Sequence, residues 1–435
     1  MIRTTNKVRD ILLLIAFPVL LYFVFRRPFI GTSLWMWSAL FFPNGWVWGL
    51  ASNIRFNLII AIVTIVSYLF QKNKLKTEIS SITILVVIFF CWTTISSIIT
   101  ISNPDRVWHE WNLFMKIIIF YLVCITTLKT KHHLNVFLWA IVLSAAYFGA
   151  GEGLKFIITA GSHKLEGIPG SRLQDRNELA VALNASIPIA IYLYSITSNK
   201  ILKIGLVCVI ILNIVSIIGS SSRGGIVALI VVSGYFFLKS KRKIRVSFVM
   251  TFLVLIGSFL VSEDWLNRMN TIENMGEDAS MLGRFAAWKI NTLIALDNPF
   301  FGAGFKACEN ILVWKIYEPD LNTLDYIIDT SSYVAPFAKA AHSIYFQVLG
   351  DQGIVGFLLY IAILTSAFFK FSSANKMENL SPDLKYMSQM VQLSLIAFCA
   401  GGAALSIAYY DLLFALIALS HCIMYVSKKE SEVSC

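Results

Sequence analysis

The sequence predicts an all-α, polytopic membrane protein with about 12 transmembrane helices. First, 57% of its 435 residues are hydrophobic and only 14% are charged, whereas a soluble domain carries roughly 25% charged residues. Second, apolar runs of roughly 20 residues recur along the chain, each long enough to cross about 30 Å of hydrocarbon. Third, lysines and arginines gather in short loops between these runs. Soluble enzymes, fibrous proteins and disordered proteins are thereby excluded.

Loops with an excess of positive charge alternate with loops that lack it. The positive-inside bias places the first kind in the cytoplasm and the second kind outside. The basic loops are 71–78, 129–133, 199–203, 239–245, 370–385 and 427–429, and the outside stretches are 102–111, 159–177, 219–222 and 263–341. The apolar segments lie near 10–25, 29–43, 54–70, 79–101, 112–128, 134–158, 178–197, 200–219, 223–239, 244–262, 342–369, 388–407 and 408–426.

The amino terminus departs from this alternation. Its first apolar segment, 10–25, lies between two groups of basic residues that both favour the cytoplasm. This segment contains Pro18, and the next segment, 29–43, is short and aromatic. We therefore expect one of the two segments not to span, with both chain ends inside. No small-residue cleavage site follows the first segment, so we expect it to be retained.

The sequence divides into four regions. They are an amino-terminal membrane region (1–177), central membrane helices (178–262), an outside loop domain (263–341) and carboxy-terminal membrane helices with a cytoplasmic tail (342–435). The loop domain holds 11 of the 25 acidic residues, and a loop this long is rarely mere connection. Within it, 280–297 predicts an amphipathic helix on the membrane surface, with Phe285, Trp288, Leu293 and Ile294 on its apolar side.

Several basic side chains are predicted near the outer face. Arg223 follows a serine-rich turn where a helix begins, Arg284 lies on the amphipathic helix, and His342 stands where the loop returns to the membrane. Arg172 and Arg176 precede another membrane helix. Each also has a purely structural interpretation: a snorkelling or solvated arginine, a charged helix collar, or a buried, hydrogen-bonded histidine. Together they favour a site that holds a lipid-linked diphosphate and activates an acceptor hydroxyl.

Other function classes find little support. The net charge of +11 comes from the membrane loops, and no basic stripe interleaved with aromatic residues indicates nucleic-acid binding. The remaining histidines show no metal-ligand spacing with carboxylates, and the seven cysteines indicate neither a metal site nor a disulfide framework. We therefore predict no metal and no cofactor.

Four motifs in order resemble the O-antigen ligase family. They are Ser222-Arg223-Gly224, Gly283-Arg284 with Trp288, the stretch from Asn298 to Phe305, and His342 to Phe346 with Gly353 to Gly356. The amino-terminal third is similar to a subgroup called O-glycosylation ligases of exosortase systems. That similarity lies in Val8-Arg9-Asp10, Arg26 to Gly31, Trp46 to Gly49 and Gln174 to Glu178, where Arg176 replaces an expected smaller polar residue.

The resemblance implies a GT-C-like enzyme of the bacterial inner membrane. It would take a glycan from undecaprenyl diphosphate at the periplasmic face, without a metal ion and with inversion of configuration. His342 matches the family's catalytic base, and Arg223 and Arg284 match arginines that hold the diphosphate. Arg172, Arg176 and Tyr345 complete the predicted substrate-binding set.

Two matters stay open at the sequence level. A transporter of lipid-linked sugars and a noncatalytic scaffold are the competing classes, although no internal repeat of the kind found in many transporters is detectable. The acceptor is also open among a protein serine or threonine, lipid A–core and a growing polysaccharide. The subgroup resemblance favours protein O-glycosylation.

Overall fold

The structure, a computed structural model, describes residues 2–72, 74–240, 243–244, 279–330 and 337–433. All regular elements in these ranges are helices. In chain order they are α1 (Ile2–Arg26), α2 (Pro28–Phe41), α3 (Phe56–Phe70), α4 (Ser81–Ile98), α5 (Pro104–Thr127), α6 (Lys131–Ile158), α7 (Arg176–Ile196), α8 (Lys200–Gly219), α9 (Arg223–Lys239), α10 (Ala279–Asp297), α11 (Ile311–Tyr317), α12 (Ile344–Lys376), α13 (Pro382–Gly402) and α14 (Asp411–Val433). Short turns of helix cover Pro43–Trp46, Leu50–Asn53, Ala307–Glu309 and Glu318–Leu324.

Eight of the described helices are long and apolar enough to cross a membrane. They are α1, α4, α5, α6, α7, α8, α12 and α14, and α3 is a shorter apolar helix. The all-helical membrane fold is therefore confirmed, whereas the count of about 12 spans stays a prediction. The predicted segment 244–262 lies outside the described residues, apart from residue 244.

Contacts between loops define the two ends of the helical bundle. Tyr425 donates its hydroxyl to the Lys76 carbonyl, Lys131 pairs with Asp383 at 2.9 Å, and the Ser381 N–H donates to Glu430. The predicted basic loops 71–78, 129–133, 370–385 and 427–429 thus share one end, which we call the basic face. The opposite end, where α7, α9 and α12 begin, we call the His342 face. Which compartment each face meets stays a prediction.

The two amino-terminal helices pack against each other and run antiparallel. Near the start of α1, the Asp10 carboxylate accepts the Trp48 N–H at 3.0 Å, and at its end the Phe25 carbonyl accepts the Ser67 hydroxyl at 2.7 Å. Helix α2 returns from Phe29, which stacks on a histidine of α6 at the basic face. Helix α1 therefore crosses the bundle and remains helical through its proline, whereas α2, with 14 residues, is not among the helices long enough to cross a membrane. The expectation that one of the two segments does not span stays a prediction.

The start of α1 and the end of α14 consequently lie at opposite faces of the described bundle, which differs from the expectation that both chain ends lie inside. The turn between α2 and α3 contacts loop 159–175 at the His342 face, where Gly45 lies against Ile168. The Arg9 guanidinium stands 5.6 Å from the centre of the Trp46 ring in that same turn. This cation–π contact, together with the hydrogen bond of Asp10, holds the start of α1 there against the bias of its basic residues.

Helix α12 is broken at Gly353, close to its start. Gly353 has a φ of 71°, and it meets Gly302, which has a φ of 64°. A side chain on either glycine would collide with the other's backbone, so the two segments approach as closely as backbone allows. The segment 299–304 thereby supplies partners to the break, through Ile354 N–H to Pro299 O (2.7 Å), Ala303 N–H to Gly350 O (3.0 Å) and Gly304 N–H to Asp351 O (2.9 Å).

The described part of the loop domain has its own small core. Helix α10 contributes Ala286, Ile290 and Ile294, which pack with Trp314 of α11. Buried Lys289 pairs with Asp325 and donates to the Thr330 hydroxyl at 2.9 Å. The helix predicted over 280–297 is confirmed, whereas its expected position on the membrane surface stays a prediction. It packs against α12 and the loop core, because small alanines on its inner side allow close approach.

Candidate functional site

Two helices begin beside the end of α13 at the His342 face. A side chain on Gly224, in the first turn of α9, would lie 3.0 Å from the Gly401 carbonyl. A side chain on Gly402 would lie 3.1 Å from Ile344, the first residue of α12. The absence of side chains at these positions therefore brings the starts of α9 and α12 together, with Arg223 on the first and His342 just before the second.

A third helix, α7, begins next to them. It packs against α9, since the buried Asn184 amide donates to the Gly225 carbonyl at 2.9 Å. Asp175 caps α7 and Ser222 caps α9, each through its side chain, but Ser343 gives the first turn of α12 no such hydrogen bond. Helix N-termini carry partial positive charge, so three starts at one place favour an anion.

His342 lies at the centre of this arrangement. Its backbone is in the left-handed region, with a φ of 44°, and its N–H donates to the Ser406 hydroxyl at 2.8 Å. The preceding carbonyl, of Ala341, accepts the indole N–H of Trp288 at 2.8 Å. Trp288 also stacks on Phe346, with ring centres 4.9 Å apart. These contacts fix the backbone of His342 between α10 and the loop 403–410.

The surroundings of His342 keep its imidazole neutral. Burial lowers its pKa to about 4, with further lowering by the positive charges of Arg284 and Lys339 and an opposing effect from Asp175. The histidine is therefore unprotonated at pH 7, the state required of a general base.

The other predicted residues adjoin this centre with different roles. Arg223 and Arg284 are half-buried, and both interact with other parts of the chain. The Arg172 carbonyl accepts the Tyr410 hydroxyl at 3.4 Å. Tyr345 directs its hydroxyl to the Cys399 carbonyl of α13 at 3.3 Å, so a contact with substrate through that hydroxyl would compete with this bond.

An open polar cavity of about 560 Å³ lies at the start of α7. Arg176, Asp175 and Glu178 line it from the helix, and Lys164 and Glu166 line it from the preceding loop. The Lys164 hydrogen bond and charge lower the pKa of Glu166, and Arg176 adds to this effect. Asp175 lines this cavity and its charge also raises the pKa of His342.

The part of the chain that the structure describes contains no candidate metal site. Within it, no group of three or more His, Cys, Asp or Glu side chains is placed to hold a metal ion. Metal-independent chemistry nevertheless stays a prediction, because it concerns the reaction.

For three neighbours of His342, the sequence predicts no role beside the histidine. Asp175 reads as part of a charged collar, Lys339 lies three residues before the histidine, and Ser406 lies 64 residues beyond it. The sequence also predicts adjoining spans at 388–407 and 408–426, whereas the structure inserts the loop 403–410, with Ser406, between α13 and α14. Only the spacing of Lys339 offered a local signal.

The fold and the site define a multi-pass helical membrane protein with a histidine beside an anion-attracting cluster of helix starts. Residues 207–361 match the model of the O-antigen ligase family, and this range contains Arg223, Arg284 and His342. Residues 8–198 match a family of unknown function (DUF5935). The chain matches no curated protein. The ligase match indicates glycan transfer by a membrane enzyme of the glycosyltransferase-like ligase type.

Proposed function

We propose that this protein transfers a glycan from undecaprenyl diphosphate to an acceptor hydroxyl at the periplasmic face of the bacterial inner membrane. The observation that carries the proposal is the placement of neutral His342 beside Arg284 and the starts of α7, α9 and α12. A base and an anion site are the two parts that displacement of a diphosphate by a hydroxyl requires.

The diphosphate lies against Arg223 and Arg284 in this proposal. Arginine offers a fork of donors suited to phosphate oxygens. The first-turn N–H groups of α12, which Ser343 does not cap, add donors and the positive end of a helix dipole. Charge grows on the departing oxygen as the bond to the sugar breaks, so these groups stabilise the transition state more than the ground state.

His342 takes the proton of the acceptor hydroxyl. The acceptor oxygen bonds to the anomeric carbon while the bond from that carbon to the diphosphate oxygen breaks. The electron pair of the broken bond leaves with undecaprenyl diphosphate. Direct displacement inverts the anomeric configuration. Bound diphosphate also offsets the charge of Arg284, which lowers the pKa of the free histidine. Donor binding therefore strengthens the base at the moment when it is needed.

A protein serine or threonine is the acceptor that we propose, on the resemblance of the amino-terminal third. Lipid A–core and a growing polysaccharide are the alternatives, since each presents a hydroxyl. The open cavity beside Asp175 and Arg176 is polar throughout its named lining, which suits a sugar or a peptide backbone more than an acyl chain.

The test is transfer by the purified, full-length protein in detergent. Lipid-linked glycan is supplied with a pilin-type protein or with lipid A–core, and products are identified by mass spectrometry, with His109→Ala as a matched histidine control. We expect product with wild type and control, an inverted anomeric centre, and undiminished activity in excess EDTA.

A transporter makes no product in detergent, because no compartments exist there. Absence of product with every acceptor, from protein that still binds donor, would therefore favour transport. The broken helix α12 is a feature of many transporters, but three of its backbone groups at the break pair with the segment 299–304 and are not available to an ion.

A further inference from the structure

We infer that the basic face carries a binding site for an anionic phospholipid, between the corner of α1–α3 and the α5–α6 turn. This site lies at the opposite end of the bundle from His342 and does not depend on the proposed function. Its phosphate-binding groups are Lys129 and Arg26.

Lys129 is a buried cation with no neutralising hydrogen bond. Its side chain is only 5% exposed, and its ammonium has no hydrogen-bond partner among the described residues. It lies 4.3 Å from the centre of the Tyr425 ring, and Lys429 lies 4.8 Å from the centre of that same ring. Burial lowers the pKa of Lys129 and Lys429 adds to the lowering, whereas Glu78 opposes it. A buried ammonium without a bonded acceptor favours an incoming anion.

Two neighbouring cavities lead to this lysine. Lys129 lines a small cleft of about 50 Å³, together with Gln71 and Pro28. Gln71 and Pro28 also line a larger cavity of about 380 Å³, which Arg26 borders. The shared lining makes the two cavities neighbours, and among the residues that the structure describes no acidic side chain lines either one. Charge complementarity therefore favours a negatively charged occupant.

The surroundings favour a lipid over a free anion. Tyr22, Phe25 and Phe70 line the larger cavity and are exposed, and Leu69 beside them is exposed as well. These residues form an apolar surface on α1 and α3 directly below a loop that contains Lys72 and Lys74. An amphiphile with an anionic headgroup matches both parts, because its acyl chains cover the apolar surface while its phosphate meets the cations.

The inference accounts for a motif that the proposed transfer does not use. The motif from Arg26 to Gly31 is one of those that resemble the exosortase-associated subgroup, and it begins with Arg26, Arg27 and Pro28. In the structure, α1 ends at Arg26 and α2 begins at Pro28, so this motif builds the corner that borders the cavity.

The experiment measures lipid binding to delipidated, full-length protein by native mass spectrometry. Dioleoylphosphatidylglycerol, dioleoylphosphatidylcholine and inorganic phosphate are the probes. The variants are Lys129→Met and Arg26→Gln, with Lys203→Met as the control, since Lys203 is also a cation over an aromatic ring outside the two cavities. We expect phosphatidylglycerol to bind more tightly than phosphatidylcholine, and each site variant to weaken it about fivefold.

Phosphatidylcholine binding should be the same in all variants, and Arg26→Lys should restore phosphatidylglycerol binding. Equal affinity of wild type for the two lipids, or equal loss in Lys203→Met, would overturn the inference. Displacement of phosphatidylglycerol by millimolar phosphate would also overturn it, in favour of a site for free anions. Arg26 is exposed, so Arg26→Gln tests the site even where Lys129→Met fails to fold.

Discussion

The two faces of the helical bundle both carry cations, but some of these cations lie at helix starts and others at helix ends. At the His342 face α7, α9 and α12 begin, so the arginines there add to the partial positive charge of helix starts. At the basic face α1, α9 and α12 end, and the last turns of these helices hold Arg26, Lys239 and Lys376. Cations at helix ends offset the partial negative charge of free carbonyls. The number of positive side chains at a face therefore does not by itself show how strongly that face attracts an anion.

Two buried lysines likewise differ in the groups that contact their ammonium. Lys289, in the loop domain, is 4% exposed and bonds to Asp325, to Thr330 and to the Leu321 carbonyl. Lys129, at the basic face, is equally buried but contacts an aromatic ring instead. Lys289 joins parts of the loop domain through hydrogen bonds, whereas Lys129 is a cation available to a ligand.

The largest effect is expected from His342→Ala. Loss of a general base lowers turnover by about 10²–10⁴-fold. Binding of lipid-linked donor should change little, because the base acts mainly in the transition state. Single-turnover transfer and donor binding are measured on purified variants, after a check that each is folded. A folded variant with near wild-type turnover would leave His342 as a hydrogen-bonded structural residue.

Arg223→Ala and Arg284→Ala should weaken donor binding as well as turnover. A lost hydrogen bond to a charged group reduces affinity by about 10- to 100-fold. Lysine should restore binding poorly where a fork of donors is required. Lys203→Ala at the basic face serves as the control and should leave donor affinity unchanged. Equal losses in that control would show that overall charge, and not the His342 face, holds the donor.

The pH dependence separates the free enzyme from the donor complex. Activity requires neutral His342, so kcat/KM should stay level down to about pH 5 and fall about tenfold per unit below its pKa of about 4. Lys339→Met removes a charge that lowers this pKa and should move the acid limb to higher pH, whereas Asp175→Asn should move it to lower pH.

The acid limb of kcat should lie at higher pH than that of kcat/KM, because bound diphosphate offsets Arg284. Recovery of activity after return to pH 7 is the control for acid unfolding. Identical limbs in wild type and in both variants would contradict the assignment of His342 as the titrating base.

The smallest effect concerns the two buried lysines. Lys289→Met loses its hydrogen bonds and should lower Tm by about 2–6 °C. Lys129→Met loses no hydrogen bond and no longer buries a charge, so its Tm should stay level or rise. Thermal unfolding of delipidated protein in detergent measures both. A larger loss in Lys129→Met than in Lys289→Met would reverse the comparison.

The positions of the helices along the chain follow from local sequence. Each apolar run must satisfy its own backbone hydrogen bonds in hydrocarbon, so run length and composition predict a helix from local residues alone. The same holds for the starts of α7 and α9, since Asp175 and Ser222 have the side chains that cap a helix. The order of the four motifs also pointed to Arg223, Arg284 and His342.

Which ends of these helices meet depends instead on packing between distant parts of the chain. The direction of α1 depends on the contacts of Arg9 and Asp10 with the turn before α3. The distribution of positive charge among the loops predicts the opposite direction for this helix. The hydrogen bond of His342 with Ser406 and the effect of the Asp175 charge on its pKa join parts of the chain that are distant in sequence. Such pairings depend on close packing of small residues such as Gly224 and Gly402 between helices. Local composition cannot encode them, because each depends on the shape of a partner elsewhere in the chain.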